Sequence, residues 1–427
     1  MTDDARRSGG PLGSAFQIYA PSTVYAIGVG AMSPAVATAA LDFSATPAMA
    51  AAVVTMLGVG MLITTGPAAL LTSRVGERQT LILSAVIGAV GSVIAFGAVA
   101  RWHGLFDGGA GGDQLGLALL VLAVTLMGAS GAGFNLARQS YLAAAVPLSH
   151  RARAMSLLGG TLRIGTLVGP FAGAGLQTVM GLSGAFAVTV LALLATVVMS
   201  FFIRELPVGE SSDDADPAAP AAAAGEVQSD PDTLRRMAWA HRRLLSTVGL
   251  CVLALSAGRA ARTAIIPLWG AHLGLAPATT SLIYGLVGLI DVLMFYPAGW
   301  LMDRYGRRAV AVPCLSVMAL GVLLMPFTST PGWFLAAALL VGLGNGFGAG
   351  IVLTLGADYA PPRGRAKFLG VWRTLADSGV VAGPLLVSLV AGAVSLGAGV
   401  WVLGGLLAAG AVGFRALLPP GPGTVNR

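Results

Sequence analysis

Seven ionisable side chains lie inside otherwise apolar stretches of this chain: Arg138, Arg163, Arg259, Arg262 and Arg373, against Asp291 and Asp377. A carboxylate alone in apolar surroundings favours its neutral form and can carry a proton, whereas one beside an arginine becomes a structural ion. Both readings are open for Asp291. Arg259 and Arg262 fall three residues apart on one helical face, repel each other, and call for an acid from a neighbouring helix. Arg373 and Asp377 have i, i+4 spacing, in the less favourable order for a helical ion pair. The embedded charge is positive in excess. That points to an anionic or amphipathic small molecule, with backbone carbonyls as the other sink for the surplus.

Enzyme chemistry is not expected. His103, His150, His241 and His272 lie in or beside connections, with no nucleophile–base or metal-ligand spacing. Cys251 and Cys314 read as small buried hydrophobes, with neither a disulfide nor a metal site implied. No cofactor is expected. The formal charge of +7 carries no basic patch with interleaved aromatics, so nucleic acid is not an expected partner.

The elements that position these charges follow from composition. The 427 residues are 56% hydrophobic and 10% charged, with a mean hydropathy of +0.82, which places the chain in a bilayer. Twelve apolar windows are each long enough to cross about 30 Å of hydrocarbon as a helix. They run near 16–40, 49–71, 79–100, 115–140, 152–178, 183–203, 244–270, 279–300, 309–328, 333–358, 366–391 and 395–417. The runs are continuous rather than alternating, so the expected fold is an all-α integral membrane protein. The first window has no small-residue cleavage site and reads as a retained helix, with Arg6 and Arg7 before it.

Arg74 and Arg78, Arg151 and Arg153, Arg235 to Arg243, Arg304 to Arg308, and Arg363 to Lys367 occupy alternate connections. The positive-inside rule makes these cytoplasmic, with both termini, and places the chain in the cell inner (plasma) membrane among anionic headgroups. The opposite connections carry only Arg101, beside His103, Asp107 and Asp113.

Internal repetition organises the windows. "AALLTSRVGER" aligns with "AGWLMDRYGRR" at an offset of 230, pairing Gly76 with Gly306. "RARAMSLLGGTLRIGTLVGP" aligns with "RAKFLGVWRTLADSGVVAGP" at an offset of 214, pairing Gly169-Pro170 with Gly383-Pro384. Residues 1–203 and 244–427 are thus two pseudo-symmetric six-helix halves. Residues 204–243, rich in Ala, Pro and acidic side chains and then basic, form a flexible linker.

Twelve spans in two halves, with a Gly-x-x-x-Asp-Arg-x-Gly-Arg-Arg signature at Gly299, Asp303, Arg304, Gly306, Arg307 and Arg308, resemble the major facilitator superfamily of secondary transporters. The resemblance implies alternating access, a small-molecule substrate, a monomer in membrane lipid, and a cytoplasmic gate at this signature. The first-half copy keeps Arg74, Gly76 and Arg78 but has Ser73 and Glu77 where Asp and Arg are expected. Gly165, Gly169, Pro170 and Gly173 partly match the fifth-span motif of proton-driven exporters, with Ser156 and Ala174 at two glycine positions. Tight helix packing is the alternative reading, because Gly379 and Gly383-Pro384 echo the pattern in the other half. The arginine such exporters carry in the fourth span is Val124 here, and Arg138 lies elsewhere in that span. Export driven by a proton gradient is the leading expectation; proton-coupled uptake, uniport or ligand sensing are the alternatives.

Counted from the basic residues at each span's end, Asp291, Arg163, Arg373 and Asp377 come out roughly 12 to 18 Å deep, at the midplane. Arg259 and Arg262 are deeper, at roughly 24 to 28 Å. Arg163 and Asp377 are repeat-equivalent, so contact across a central cavity and satisfaction of each within its own half both stand open.

Overall fold

The computed structural model describes residues 11–43, 45–100, 110–146, 148–205, 231–348, 350–362 and 364–421. Expectations for Arg6, Arg7, Arg101, His103, Asp107, Arg363 and the linker over 206–230 fall outside them. No strand occurs among the described residues. The first half contains α1 (Pro11–Met32), α2 (Ala35–Asp42), α3 (Pro47–Val75), α4 (Glu77–Val99), α5 (Ala110–Ala145), α6 (Leu148–Met180) and α7 (Ser183–Phe201). After α8 (Pro231–Ala240) and a short α9 (Arg242–Leu244), the second half contains α10 (Leu250–His272), α11 (Pro277–Tyr305), α12 (Arg308–Leu324), α13 (Pro331–Phe347), α14 (Ile351–Tyr359), α15 (Arg365–Ala393) and α16 (Leu396–Leu417).

Ten helical segments are long and apolar enough to cross a membrane, and the α1–α2 pair, bent by 40°, makes eleven. The twelfth is α6, 33 residues long and more polar because it carries Arg153 and Arg163. Three spans depart from a single regular α-helix, two of them by a break. The first breaks at Ser33-Pro34, where proline supplies no N–H for the helical ladder. The tenth breaks between Gly348 and Gly350, and Gly350 has φ +80, a left-handed value that costs glycine little. The seventh begins with a π-helical turn over Leu245–Gly249. The linker expectation also needs correction at its end, because residues 231–240 fold as α8 and pack on α15. Met237 reaches Gly364, and the His241 ring stands edge-on to Phe368 at 5.1 Å.

The repeat is written into backbone contacts. A Cβ at Gly165 would stand 2.5 Å from the carbonyl oxygen of Thr23, and one at Gly169 2.3 Å from that of Ile27. At Gly379 and Gly383 the corresponding distances, to Leu253 and Ala257, are 2.7 and 2.1 Å. The glycines of each pair are 214 apart and their targets 230 apart, so both offsets meet in the same crossing, α6 on α1 and α15 on α10. Only glycine permits helices this close. Gly76 and Gly306 repeat likewise, each with φ +86 at the end of its helix.

The halves meet where α6 packs on α11 and α15 packs on α3. Away from the basic connections the seam is closed. Ser388 donates to the Ala48 carbonyl at 2.7 Å, and a Cβ at Gly58 or Gly285 would come within 3.0 Å of Val381 or Phe171. Toward the basic face the same four helices part, and Gly66, Gly159, Gly299 and Gly370 have open space around them.

Gly383→Ala is therefore expected to lower the melting temperature of the purified protein by the equivalent of about 1–3 kcal/mol, the usual cost of overpacking. Gly370→Ala, in the same helix with nothing within 4 Å, is expected to leave it unchanged or slightly raised.

Candidate functional site

Asp291, on α11, anchors a polar cluster inside the second half. One carboxylate oxygen, Oδ2, accepts from Asn345 Nδ2 at 2.7 Å and from Arg262 Nη1, on α10, at 3.4 Å. The Asn345 backbone carbonyl accepts from Arg259 Nη2 at 3.5 Å. This carbonyl lies in the last turn of α13, just before the break at Gly348, where the helix dipole presents its negative end. The two mutually repelling arginines are thus separated in task, one paired to a carboxylate and the other to a helix terminus. Arg259 Nε and Asn345 Oδ1 are buried without a hydrogen bond among the described residues.

A cavity of about 220 Å³ opens between the halves at this level, lined by Arg163 and Thr166 of α6, Arg262 of α10, and Tyr284, Gly288 and Asp291 of α11. Arg163 reaches across the seam and lies over the Phe295 ring of α11 at 4.1 Å. A guanidinium on an aromatic face keeps its edge donors free for another partner. The charges close enough to act on Arg163 are Asp291, Arg259 and Arg262.

The interdomain contact between Arg163 and Asp377 does not form. Asp377 pairs with Arg373 in its own helix, at 3.0 and 3.1 Å from Nε to the two carboxylate oxygens. The seam joins α6 to α11 and α15 to α3, so the repeat-equivalent helices α6 and α15 face different partners. Arg138 also stands apart from the cavity lining. It is 3% exposed, bonds to Asn135 and lies 5.9 Å from the Phe134 ring. Phe134 stacks on Tyr25 at 4.3 Å, and Tyr25 continues through Ser130 to the Ser84 carbonyl.

At the basic face, the signature residue Arg307 holds Asp358 of α14 at 2.8 Å. Arg304 lies over the Trp300 and Tyr305 rings at 5.3 and 5.6 Å. Asp303 is exposed and makes no ion pair among the described residues. In the first-half copy, Glu77 accepts from Ser140 of α5 at 3.0 Å, and Arg78 pairs with Glu205 at 2.8 Å. The acid at Glu77 and the base at Arg307 thus each find a polar partner on the fourth span of their own half.

Sequence reasoning missed Asn345, Asp358, Tyr284 and Phe295. Asn345 carries no formal charge, yet a lone amide in an apolar window was a readable signal. Asp358 stood at a span boundary. Tyr284 and Phe295 are indistinguishable by pattern from lipid-facing aromatics.

The family profile described as Major Facilitator Superfamily matches residues 22–260 and 248–427. The chain is 28% identical over 146 residues to a bacillibactin exporter of Bacillus subtilis, covering 33% of this chain and 36% of that protein. It is 32% identical over 135 residues to the niacin transporter NiaP of Acinetobacter baylyi, covering 30% and 29%. The chain thus spans about a third of the length of the curated relatives it matches. Its fold is similar to that of a D-xylose–proton symporter (TM-score 0.67, 13% identity, 95% of this chain and 98% of that one). The nucleoside transporter NupG gives 0.69 at 13% identity over 94% and 98%. An inward-facing, unoccupied bacterial homolog of the lysosomal transporter Spinster gives 0.68 at 12% identity over 95% of each chain.

The two carboxylates differ in environment, and their removal should differ accordingly. The Arg262 and Asp291 side chains are 21% and 14% exposed, so Asp291→Ala, which strands Arg262, is expected to cost about 2 kcal/mol or more. Arg373 is 59% exposed, and Asp377→Ala is expected to change stability by about 0.5 kcal/mol or less. Thermal unfolding of the purified variants reads both.

Proposed function

This chain belongs to the Major Facilitator Superfamily and is a membrane transporter, and from that premise we propose that it moves a small anionic or amphipathic molecule across the cytoplasmic membrane by alternating access, coupled to protons at Asp291. The observation that carries this reading is the cavity in which Arg163 of one half meets Arg262 and Asp291 of the other. A cargo anion there finds two guanidiniums, and its apolar part finds Leu167 and Val292. Contacts from both halves give a cargo leverage over their relative position, since a ligand shifts a two-state equilibrium only by binding the states unequally. A proton on Asp291 weakens its hold on Arg262 but leaves an acid that can still accept from Asn345.

Export in exchange for protons is the direction supported by the glycine–proline motif of α6, at its crossing with α1, and by the exporter among the relatives. Uptake together with protons is the second reading, and one contact favours it. Protonating Asp291 frees Arg262, so a proton and an anion would bind more readily together than apart. In either direction the basic face, where the helices part, is the one open to the cytoplasm under the positive-inside rule.

Purified protein in proteoliposomes with an imposed pH gradient tests the coupling. Flux should follow the gradient in wild type, lose that dependence in Asp291→Asn, and keep it in Asp377→Asn. Cargo leaving the acidified compartment with the protons would replace exchange by cotransport, and flux indifferent to the gradient would end both. A carboxylate cargo should be carried at least about tenfold faster than its methyl ester, the ratio for one charge-assisted contact. Equal rates would remove the anionic assignment.

A further inference from the structure

A second cavity, of about 510 Å³, opens on the outer side of the second half, between the start of α12 and the end of α16. Its walls are apolar, from Tyr305, Val312, Pro313 and Pro420, and two arginines enter it, Arg308 from the first turn of α12 and Arg415 from the last turn of α16. Neither arginine has an ion pair or a hydrogen bond among the described residues. No carboxylate lines the groove, and no Asp or Glu follows Asp377 in the sequence. Two unpaired guanidiniums above an apolar floor attract an anion that brings its own apolar body.

Position narrows the anion further. The groove is level with the helix ends at the basic face, beside Trp300 and Tyr305, the aromatic types that settle at headgroup depth. Val412, one turn before Arg415, is 68% exposed and continues the apolar track along α16 toward the bilayer interior. A soluble phosphate would gain nothing from such walls.

We propose that this groove binds the phosphodiester of an anionic phospholipid, with Arg308 and Arg415 clamping the phosphate and the acyl chains lying along α12 and α16. Guanidinium forks suit phosphate oxygens, and basic pockets between membrane helices on the cytoplasmic side recognise such headgroups. The site is separate from the cavity between the halves and independent of what the protein carries. Arg308 adjoins Arg307, which holds Asp358, so the lipid would rest against the turn that joins α11 to α12.

Native mass spectrometry of the full-length protein with added phosphatidylglycerol or phosphatidylcholine of matched chains tests the assignment. Wild type should retain phosphatidylglycerol in preference, and Arg308→Gln/Arg415→Gln should weaken that retention about tenfold, the loss of a charge-assisted contact of about 1.4 kcal/mol. Arg235→Gln/Arg236→Gln, which removes the same charge from exposed positions on α8, should leave it unchanged. Arg415→Gln alone repeats the test if the double change impairs folding, with the same direction expected. Equal loss in the groove and α8 variants, equal retention of the two lipids, or displacement by glycerol phosphate without chains would overturn the proposal.

Discussion

Two backbone crossings hold this molecule in register. Where α6 meets α1 and α15 meets α10, glycines press directly on the carbonyl oxygens of the facing helix, leaving no room for a methyl group. Helices in lipid gain little from burying apolar side chains against one another, because the solvent is equally apolar. Close packing must supply the association instead. The crossings fix α6 and α15 within their own halves, and these two helices then present their other faces to α11 and α3 across the seam. The placement of Arg163 over Phe295 follows from the first crossing, since α6 has no freedom to turn that side chain elsewhere.

Charge is handled differently in the two halves. The second half gathers Arg259 and Arg262 around one carboxylate and one helix end, with Asn345 joining both arrangements through its side chain and its carbonyl. The first half buries Arg138 among Asn135, Phe134 and the Tyr25–Ser130 chain, with no carboxylate partner among the described residues. The repeat explains the scaffold but not this asymmetry. At the offset of 230 the counterpart of Asp291 is Met61, and that of Arg262 is Met32. Matched backbones therefore carry unmatched chemistry, and the cavity inherits its polarity mainly from the second half.

Much of the scaffold was legible in the sequence because hydrophobic length and repetition are set by the bilayer and by helix geometry. The Gly169-Pro170 and Gly383-Pro384 alignment marked the glycines that the crossings use, though not the helices they meet. The breaks at Ser33-Pro34 and between Gly348 and Gly350 were not legible, since the surrounding windows stay apolar and the composition does not change. Between the two arrangements open for Arg163 and Asp377 the sequence could not choose, for a topological reason. Repeat equivalence relates helices by symmetry, and symmetry-related helices need not touch. Asn345 and Asp358 escaped because attention to formal charge within window interiors passes over an amide and a boundary acid.

The interruption between α13 and α14 divides one crossing of the membrane into two arms. Both arms are fastened to α11 or the turn that follows it, the upper through Asn345 to Asp291 and the lower through Asp358 to Arg307. From Asp291 to the end of α11 at Tyr305 is about 21 Å at 1.5 Å per residue, and Arg307 lies in the turn just beyond. One fastening is on the helix itself and the other on the turn that leads into α12. Asp291, which faces the cavity, and the turn after α11 are thus held from opposite sides of one glycine joint.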